Sequence, residues 1–331
     1  MTPRIAVLGA GGHTGRFVVD TLRCKGANAI AATRSGRFMP ISGEEEACRT
    51  LDFSRPEALD DVLRGADAVI NCAGPFFDTA LPAAEAALRA GIPYLDVSAE
   101  QATTRRVFDT LDARARAAGV TIIPAMAFFG GFADLLVSML VADGEAVESI
   151  EIAVGLDSWQ PTAGTRLTGE KNVYPRMIVR NGELAPIPDP APGGEWHFPA
   201  PLGGQPVACV ALSEIILIAR HIKAGSVTSF MNLKPLGDLH DSATPPPRPV
   251  DARGRSAQRF VMDVRATIGE DVRRATASGT DIYAVSAPLV VEACLDLLTQ
   301  KTSPPGVRAP GEAFAAAAFL PRLAPEITLE A

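Results

Sequence analysis

The sequence predicts an α/β fold in which a Rossmann-type, doubly wound parallel sheet is joined to a second α+β domain with a mostly antiparallel sheet. Three observations support this. Short continuous apolar runs alternate with amphipathic segments over the first 125 residues, a glycine-rich turn follows the first run, and after about residue 145 apolar and polar residues alternate. Continuous apolar strands are buried on both faces, as in parallel sheets, whereas alternating strands have one wet face.

The first part of the chain predicts a regular succession of strands and helices. Proline at position 56 favours the first turn of a helix, Ser54 is placed to cap it, and Gly91 is placed to end another helix. The predicted strands are 5–8, 29–32, 68–70, 94–97 and 120–123, and the predicted helices are 13–25, 55–64, 79–90 and 101–118.

The second part predicts a different architecture. Residues 150–154 and 260–266 alternate as half-buried strands. The proline- and glycine-rich segment 185–206 predicts a surface loop, with an active-site lid as the alternative, and 245–249 predicts a second loop. A helix is predicted over 281–299. We therefore expect a Rossmann domain over 1–125, completed by returning helices within about 281–331, and a substrate and dimerisation domain over 126–280.

Composition limits the function classes. The 331 residues carry a net charge of −7, which argues against nucleic-acid binding. The five cysteines show no C-x-x-C spacing, so we expect no metal site, no disulfide framework and a reducing, cytoplasmic location. No signal peptide is evident at the N-terminus. The most apolar later stretch, 207–219, is too short to span a membrane and contains Glu214.

The clearest motif is the glycine-rich turn that follows the first predicted strand. Gly9, Gly12 and Gly15 have the spacing G-x-x-G-x-x-G, and a predicted helix follows them. Glycines let the backbone amides approach a pyrophosphate at a helix N-terminus. This context predicts a dinucleotide site rather than a purely structural turn, with the cofactor contacted by Gly9, Gly11, Gly12, His13 and Thr14.

The end of the second predicted strand indicates which dinucleotide binds. NAD-selective sites place an acidic residue there to hold the ribose hydroxyls, but this chain has Thr33, Arg34 and Ser35. Arg34 can stack on the adenine and, with Thr33 or Ser35, hold a 2′-phosphate. We therefore expect NADP(H), with a solvated loop arginine as the alternative.

Small residues follow the strand 68–70, at the edge where an open α/β sheet binds its ligand. Cys72, Ala73, Gly74 and Pro75 are expected to let the backbone approach the cofactor. Since no histidine or other base is near in sequence, Cys72 is expected to be an inert thiol and not a nucleophile.

These residues resemble the saccharopine dehydrogenase-like NADP-binding family, in its short bacterial reductase branch. The likeness is carried by 9–16, 68–76 and 91–100, covers about residues 1–140 and returns in outline at 279–283. It implies a Rossmann domain and an α+β domain whose sheet faces the nicotinamide, as in saccharopine reductases and enoyl reductases. His13 stands where the family is expected to have a bulky aromatic or aliphatic residue.

The candidates for catalysis are diffuse, because no Tyr-x-x-x-Lys pair is present. Asp96 and Glu100 follow a strand at the expected ligand edge, where either could bind an imine or amine nitrogen, and a helix N-cap role for Ser98 or Asp96 is the alternative. The resemblance implies that a small-residue loop around Thr165 approaches the nicotinamide. Polar side chains that could hold a substrate carboxylate or donate a proton follow in sequence, and they are Arg166, Lys171 and Tyr174.

The leading hypothesis is an NADPH-dependent oxidoreductase that reduces a C=N, C=C or C=O bond of a small metabolite. An opine-type amino-acid dehydrogenase and a non-catalytic NAD(P)H sensor that binds a partner protein are the alternatives. Among the partners we expect a small-molecule substrate and a second copy of the chain, and neither nucleic acid nor membrane.

Overall fold

The fold is described from a computed structural model, which describes residues 2–41, 43–299 and 303–330. The predicted returning segment 281–331 therefore includes four positions, 300–302 and 331, that lie outside the described residues. In the part that is described, no helix is long and apolar enough to cross a membrane.

The chain folds into two large sheets and the helices that pack on them. In chain order the strands are β1 (Arg4–Leu8), β2 (Asn28–Thr33), β3 (Arg37–Phe38), β4 (Glu46–Ala47), β5 (Arg49–Thr50), β6 (Ala68–Asn71), β7 (Tyr94–Asp96), β8 (Thr121–Ile123), β9 (Val147–Leu156), β10 (Met177–Arg180), β11 (Glu183–Pro186), β12 (Gly193–His197), β13 (Gly204–Cys209), β14 (Ala224–Asn232), β15 (Arg259–Ile268), β16 (Asp271–Thr280), β17 (Gly306–Val307) and β18 (Ile327–Glu330).

The helices lie between these strands. They are α1 (His13–Cys24), α2 (Pro56–Leu63), α3 (Phe76–Ala90), α4 (Gln101–Ala118), α5 (Ala133–Leu140), α6 (Ala163–Lys171), α7 (Ser213–His221), α8 (Leu233–His240), α9 (Ser286–Thr299), α10 (Pro310–Ala313) and α11 (Ala316–Phe319). Residues Phe128–Phe132 form a turn in which Phe129 and Gly130 have non-helical backbone angles, and a 3₁₀ turn occupies Leu320–Leu323. Ser54 does not cap α2, since Arg55 is the N-cap residue and no side chain bonds there.

The first sheet is parallel throughout and confirms the predicted Rossmann architecture. Its strand order is β17-β8-β7-β6-β1-β2-β5. Ile5 and Val7 pack with α1 and α9 on one face, whereas Ala6 and Leu8 pack with α2, α3 and α4 on the other. Both faces are covered, which explains why β1 is apolar at consecutive positions.

The second sheet is mostly antiparallel, as predicted. Its order is β11-β10-β14-β9-β15-β16-β18, and among its described strands only β9 and β14 pair in parallel. One face carries Ile150, Ile152 and Val264, which pack with α5 and α7 in the same core that reaches β1. The two sheets therefore share a continuous apolar core.

The predicted loop over 185–206 is wrong, because this segment contains most of a β-hairpin. Strands β12 and β13 pair with each other, and β13 also pairs with β14. Trp196 and Val207 of the hairpin are buried against Phe230 and Val261 on the outer face of the second sheet. Pro206 is tolerated because it faces Glu195 of β12 but lies outside the residues of β13 that pair with β14, so it needs no amide for the second ladder. The segment is thus part of the sheet and neither a loop nor a lid.

The C-terminal part of the chain returns to both sheets. Helix α9, which begins at Ser286 and not at 281, packs on α1, and β17 extends the first sheet beside β8. The last strand, β18, pairs instead with β16 of the second sheet.

His221 ends α7, and its ring has a specific partner in α5. Its Nε2 lies 2.8 Å from Oδ1 of the fully buried Asp134 in α5. The other carboxylate oxygen of Asp134 accepts a hydrogen bond of 2.7 Å from the Gly311 amide. This pair therefore connects α5, α7 and α10.

Candidate cofactor and substrate site

The turn between β1 and α1 has the geometry of a phosphate-binding loop. Gly9 has a φ of +77°, and a Cβ on it would lie 2.8 Å from the Ala73 amide nitrogen. A Cβ on Gly15 would lie 2.2 Å from the Gly9 carbonyl oxygen. Gly11 and Gly12 are exposed, and no side chain caps α1. The amides in the first turn of α1 have no acceptor within the helix. They thus face an open edge that is suited to an anion.

The end of β2 carries a free arginine. The Thr33 hydroxyl donates to the Arg37 carbonyl over 2.8 Å, and Ser35 donates to the same carbonyl over 2.9 Å. Arg37 pairs with Glu45, while Arg34 is exposed and makes no ion pair or hydrogen bond within the described ranges. Arg34 is therefore the cation at this strand end that remains available for a ligand phosphate.

Ala73 and Gly74 form the neighbouring strand end beside the glycine turn. The Ala73 amide donates to the Asn71 side chain over 3.0 Å, and Asn71 in turn lies 3.3 Å from the Tyr94 hydroxyl. Burial raises the pKa of the Cys72 thiol, and the nearby Asp96 raises it further. The thiol is thus disfavoured as a nucleophile, which agrees with its predicted inertness.

Helix α6 lies across these strand ends. A Cβ on Gly74 would come within 3.5 Å of the Thr168 hydroxyl, and Thr162 caps the helix by accepting from the Thr165 amide over 3.0 Å. Lys171 at its end pairs with Asp78 of α3 over 2.6 Å. None of the residues of α6 is buried, so polar contacts hold this helix across the strand ends.

A cleft between α3, α4 and the end of α6 brings together four residues that the sequence singled out. Pro75, Glu100, Lys171 and Tyr174 line it, together with Thr168. Glu100 is 5% exposed and accepts from the Ala99 amide over 3.0 Å. Burial raises the pKa of its carboxyl, and the backbone amides that donate to it act in the opposite direction. The cleft can therefore present a carboxyl, an ammonium and a phenol to a polar group.

Asp96 occupies a different position. It is fully buried, and its carboxylate accepts from the Tyr94 hydroxyl at 2.9 Å, the Ser98 amide at 2.9 Å and the Ala125 amide at 2.8 Å. Burial raises its pKa, and these hydrogen bonds oppose the rise. The structure therefore does not bring Asp96 into the cleft, and the residue links the ends of β7 and β8.

Arg166 and Thr165 also point away from the cleft. The Arg166 guanidinium donates to the carbonyls of Leu239, Asp241 and Thr244 over 3.0 to 3.1 Å. The Thr165 hydroxyl lies 2.9 Å from the Tyr283 hydroxyl. Both side chains are thus occupied in holding α6 in place.

Two aromatic residues near the glycine turn were not predicted as site residues. The Tyr283 ring packs edge-on against His13 with centroids 5.3 Å apart, and its hydroxyl accepts from the Trp159 indole over 2.9 Å. Nε2 of His13 is buried and has no hydrogen-bond partner among the described residues. Burial lowers the pKa of the His13 ring. The family resemblance includes the segment 279–283, but the contact of this segment with His13 is visible only in the folded chain.

Comparisons with known proteins agree with this geometry. Residues 5–123 match the family described as the saccharopine dehydrogenase NADP binding domain. The chain thus carries a saccharopine dehydrogenase-like NADP-binding domain. This confirms the family resemblance read from the sequence, and the matched residues extend from β1 to the end of β8.

The NADP-binding domain is accompanied by a second sheet that also has counterparts in solved structures. Apo saccharopine dehydrogenase (L-Glu forming) from Saccharomyces cerevisiae superposes with a TM-score of 0.64 at 13% identity, covering 99% of this chain and all of that one. DAP dehydrogenase from C. glutamicum gives a TM-score of 0.49 at 12% identity, over 98% and 97%. The first likeness shows the shared fold.

A curated relative is similar in sequence over part of the chain. It is a lipid droplet localized protein from Caenorhabditis elegans, 27% identical over an alignment of 217 positions that covers 55% of this chain and 51% of the relative. The match thus spans about half the length of that protein.

Proposed function

We propose that this protein is an NADPH-dependent oxidoreductase. The observation that carries the proposal is the combination of a glycine turn without room for side chains, which lies at an uncapped helix N-terminus, with a free Arg34 and no acidic residue at the end of β2. The residues present fit NADP(H). Gly9, Gly11 and Gly12 would hold the pyrophosphate through the backbone, and Arg34 would hold the 2′-phosphate.

The substrate would lie beside the strand ends, next to the nicotinamide. When bound, NADPH supplies a hydride to a C=N, C=C or C=O bond. Lys171 and Tyr174 share one cleft with Glu100, which supports a role for these side chains in holding a polar group of the substrate. Lys171 contributes a positive charge, and Glu100 a buried acceptor.

The experiment is a titration of the purified chain with NADPH, followed by a consumption screen with aldehydes, ketones, cyclic imines and enoyl thioesters. The proposal expects saturable binding of NADPH and oxidation of NADPH with at least one of these classes. Saturable binding without turnover of any class would instead support the alternative of a cofactor sensor, and no binding would contradict both.

We also propose that the working form is a cytoplasmic homodimer acting on a small molecule. The family resemblance supports the dimer, and the five cysteines, whose thiols are all free in the structure, support the cytoplasmic location. Analytical ultracentrifugation at micromolar concentration tests the dimer, and a single species of monomer mass would contradict it.

A further inference from the structure

A narrow apolar crevice lies between the start of α7 and the inner face of the second sheet. Phe128 and Phe129 of the turn Phe128–Phe132 form one wall, and Met231 and Met262 from β14 and β15 form another. Apart from Glu214 and Ser229, all of the side chains that line it are apolar. The crevice is too narrow for water in this conformation, but methionine side chains adapt readily to a ligand.

Glu214 is the charged residue in this crevice, and one oxygen of its carboxyl group has no hydrogen bond of normal geometry within the described residues. It is 2% exposed, and Oε1 accepts from the Leu212 amide over 2.9 Å. Oε2 is enclosed and makes no hydrogen bond of normal geometry with any part of the chain that the structure describes. A buried oxygen without a partner is unfavourable, so a bound group that donates a hydrogen bond to Oε2 would be stabilised there.

The surroundings of Glu214 favour its protonated form. Burial raises the pKa of the carboxyl, and the backbone amides, the Ser229 hydroxyl and the positive charge of Arg176 oppose that rise. Cys209 also lies near enough for the carboxylate to raise the pKa of its thiol, after the larger effect of burial. A carboxyl in an apolar pocket can therefore hold a proton and deliver it to a bound group.

The crevice adjoins the carboxyl edge of the first sheet. The Ser213 amide donates to the Ala99 carbonyl just after β7 over 3.1 Å, and the Ser213 hydroxyl donates to the Phe129 carbonyl after β8 over 3.0 Å. Open α/β sheets bind their ligands at this edge. Ser213 and the next residue, Glu214, therefore lie near the edge at which we expect the nicotinamide.

A chain of aromatic contacts connects the crevice with the glycine turn. The Phe129 ring packs on Trp159 with centroids 5.6 Å apart, and the Trp159 indole donates to the Tyr283 hydroxyl. Tyr283 in turn contacts His13 at the start of α1. The crevice and the cofactor turn therefore lie at two ends of one continuous contact path.

Building on the proposed function, we propose that this crevice binds the reacting group of an apolar aldehyde, ketone or imine, and that Glu214 is the proton donor. NADPH is the reductant, and its hydride adds to the carbon. As the π bond breaks, the electron pair moves to the oxygen or nitrogen, which takes the proton from Oε2. The product is an alcohol or amine, and the carboxylate left on Glu214 is reprotonated from solvent.

The assignment separates Glu214 from the residues of the cleft. Lys171 is half exposed and already paired with Asp78, and Tyr174 is also exposed, so both exchange protons freely with water. Glu214 is shielded from water while a ligand fills the crevice, so its proton passes to the bound group, and solvent restores the proton after the product leaves. Assigning Glu214 as the proton donor also favours the reduction of C=O and C=N bonds, because the reduction of a C=C bond needs a proton at carbon.

Binding of a product-like probe tests the crevice without requiring turnover. In isothermal titration calorimetry of the full chain, n-octylamine is expected to bind more tightly than octanoate, because the ammonium can donate to Glu214. Glu214→Gln is expected to weaken octylamine at least tenfold, while the exposed control Glu195→Gln binds it as the native chain does. Val210→Phe, which fills the crevice and keeps Glu214, is expected to weaken it as well.

Native-like octylamine binding by Glu214→Gln or by Val210→Phe would overturn the proposal. Should Glu214→Gln fold poorly, as judged by its NADPH affinity, the Val210→Phe result decides. With a carbonyl or imine substrate from the screen, Glu214→Gln is expected to lower kcat by about 100-fold with KM changed less than threefold. If NADPH is bound and oxidised but this variant turns over normally, the oxidoreductase stands and the role of Glu214 is rejected. If the native chain binds no NADPH, the oxidoreductase itself is rejected.

Discussion

Gly9 and Ala73 approach so closely that a Cβ on Gly9 would lie 2.8 Å from the Ala73 amide nitrogen. The contact joins the turn after β1 to the segment after β6, which are the two strand ends expected to face the cofactor. Gly9 also has a φ of +77°, so both space and backbone conformation require glycine here.

Replacing Gly9 should therefore cost far more than replacing a glycine with the same φ and free space. Gly26 has a φ of +75° and nothing within 4 Å of an added Cβ. We expect Gly26→Ala to lower the free energy of unfolding by about 1 kcal/mol, and Gly9→Ala by more than about 2 kcal/mol with loss of NADPH binding. Urea denaturation measures both, and equal losses in the two variants would contradict the close approach.

Arg34 is expected to select the phosphorylated dinucleotide. Charge-assisted hydrogen bonds contribute about 1.5–3 kcal/mol, so Arg34→Ala should weaken NADPH by roughly 10- to 100-fold and leave NADH affinity unchanged. The control is Arg64→Ala, which removes an exposed arginine that pairs with Asp61 three residues before it. Fluorescence titration gives both affinities. A parallel loss of NADH affinity would refute the 2′-phosphate site.

Lys171 can be tested against its own ion-pair partner. Because the Lys171–Asp78 pair is half exposed, breaking it should change the free energy of unfolding by less than about 1 kcal/mol. If Lys171 holds a polar group of the substrate, Lys171→Met should raise KM about tenfold, while Asp78→Asn, which removes the ion pair but keeps the lysine, should change KM less than threefold. Steady-state kinetics on a substrate from the screen decide this, and equal effects would assign Lys171 a structural role only.

The buried His221–Asp134 pair predicts a pH-dependent stability. Burial lowers the pKa of His221, but the charge and the hydrogen bond of Asp134 outweigh it, so the folded-state pKa lies above the ordinary value of 6.5. The protonated ring therefore stabilises the fold fully below about pH 6.5, and the contribution is lost as the pH rises through the raised value.

Urea denaturation at pH 6, 7 and 8 measures this effect. The native chain should lose stability between pH 6 and 8, and His221→Gln should be less stable at pH 6 by about 3 kcal/mol and lack that part of the pH dependence. The exposed His197→Gln serves as the control. An identical pH slope in His221→Gln and in the native chain would show that the pair does not titrate in this range.

The first sheet could be predicted because its signals are local. Continuous apolar runs such as 5–8 end at glycines, and the turn at Gly9–Gly15 follows a strand, so period and spacing were sufficient. The hairpin of β12 and β13 was missed because glycine and proline are frequent in it, and a strand pair at the margin of a sheet tolerates them.

The site could be predicted less completely, since it depends on distant parts of the chain. Glu100, Lys171 and Tyr174 do meet in one cleft, but the sequence could not show that Arg166 is occupied by backbone carbonyls or that Asp96 is fully buried. Glu214 interrupts an apolar run, and that single carboxylate was a signal. Its importance becomes visible only when α7 is seen against β14 and β15.

The most direct test of the account is a fluorescence titration of the native chain with NADPH and with NADH under the same conditions. We predict saturable binding of both, with NADPH at least tenfold tighter because Arg34 meets the 2′-phosphate. Failure to bind either nucleotide at millimolar concentration, or tighter binding of NADH, would contradict it.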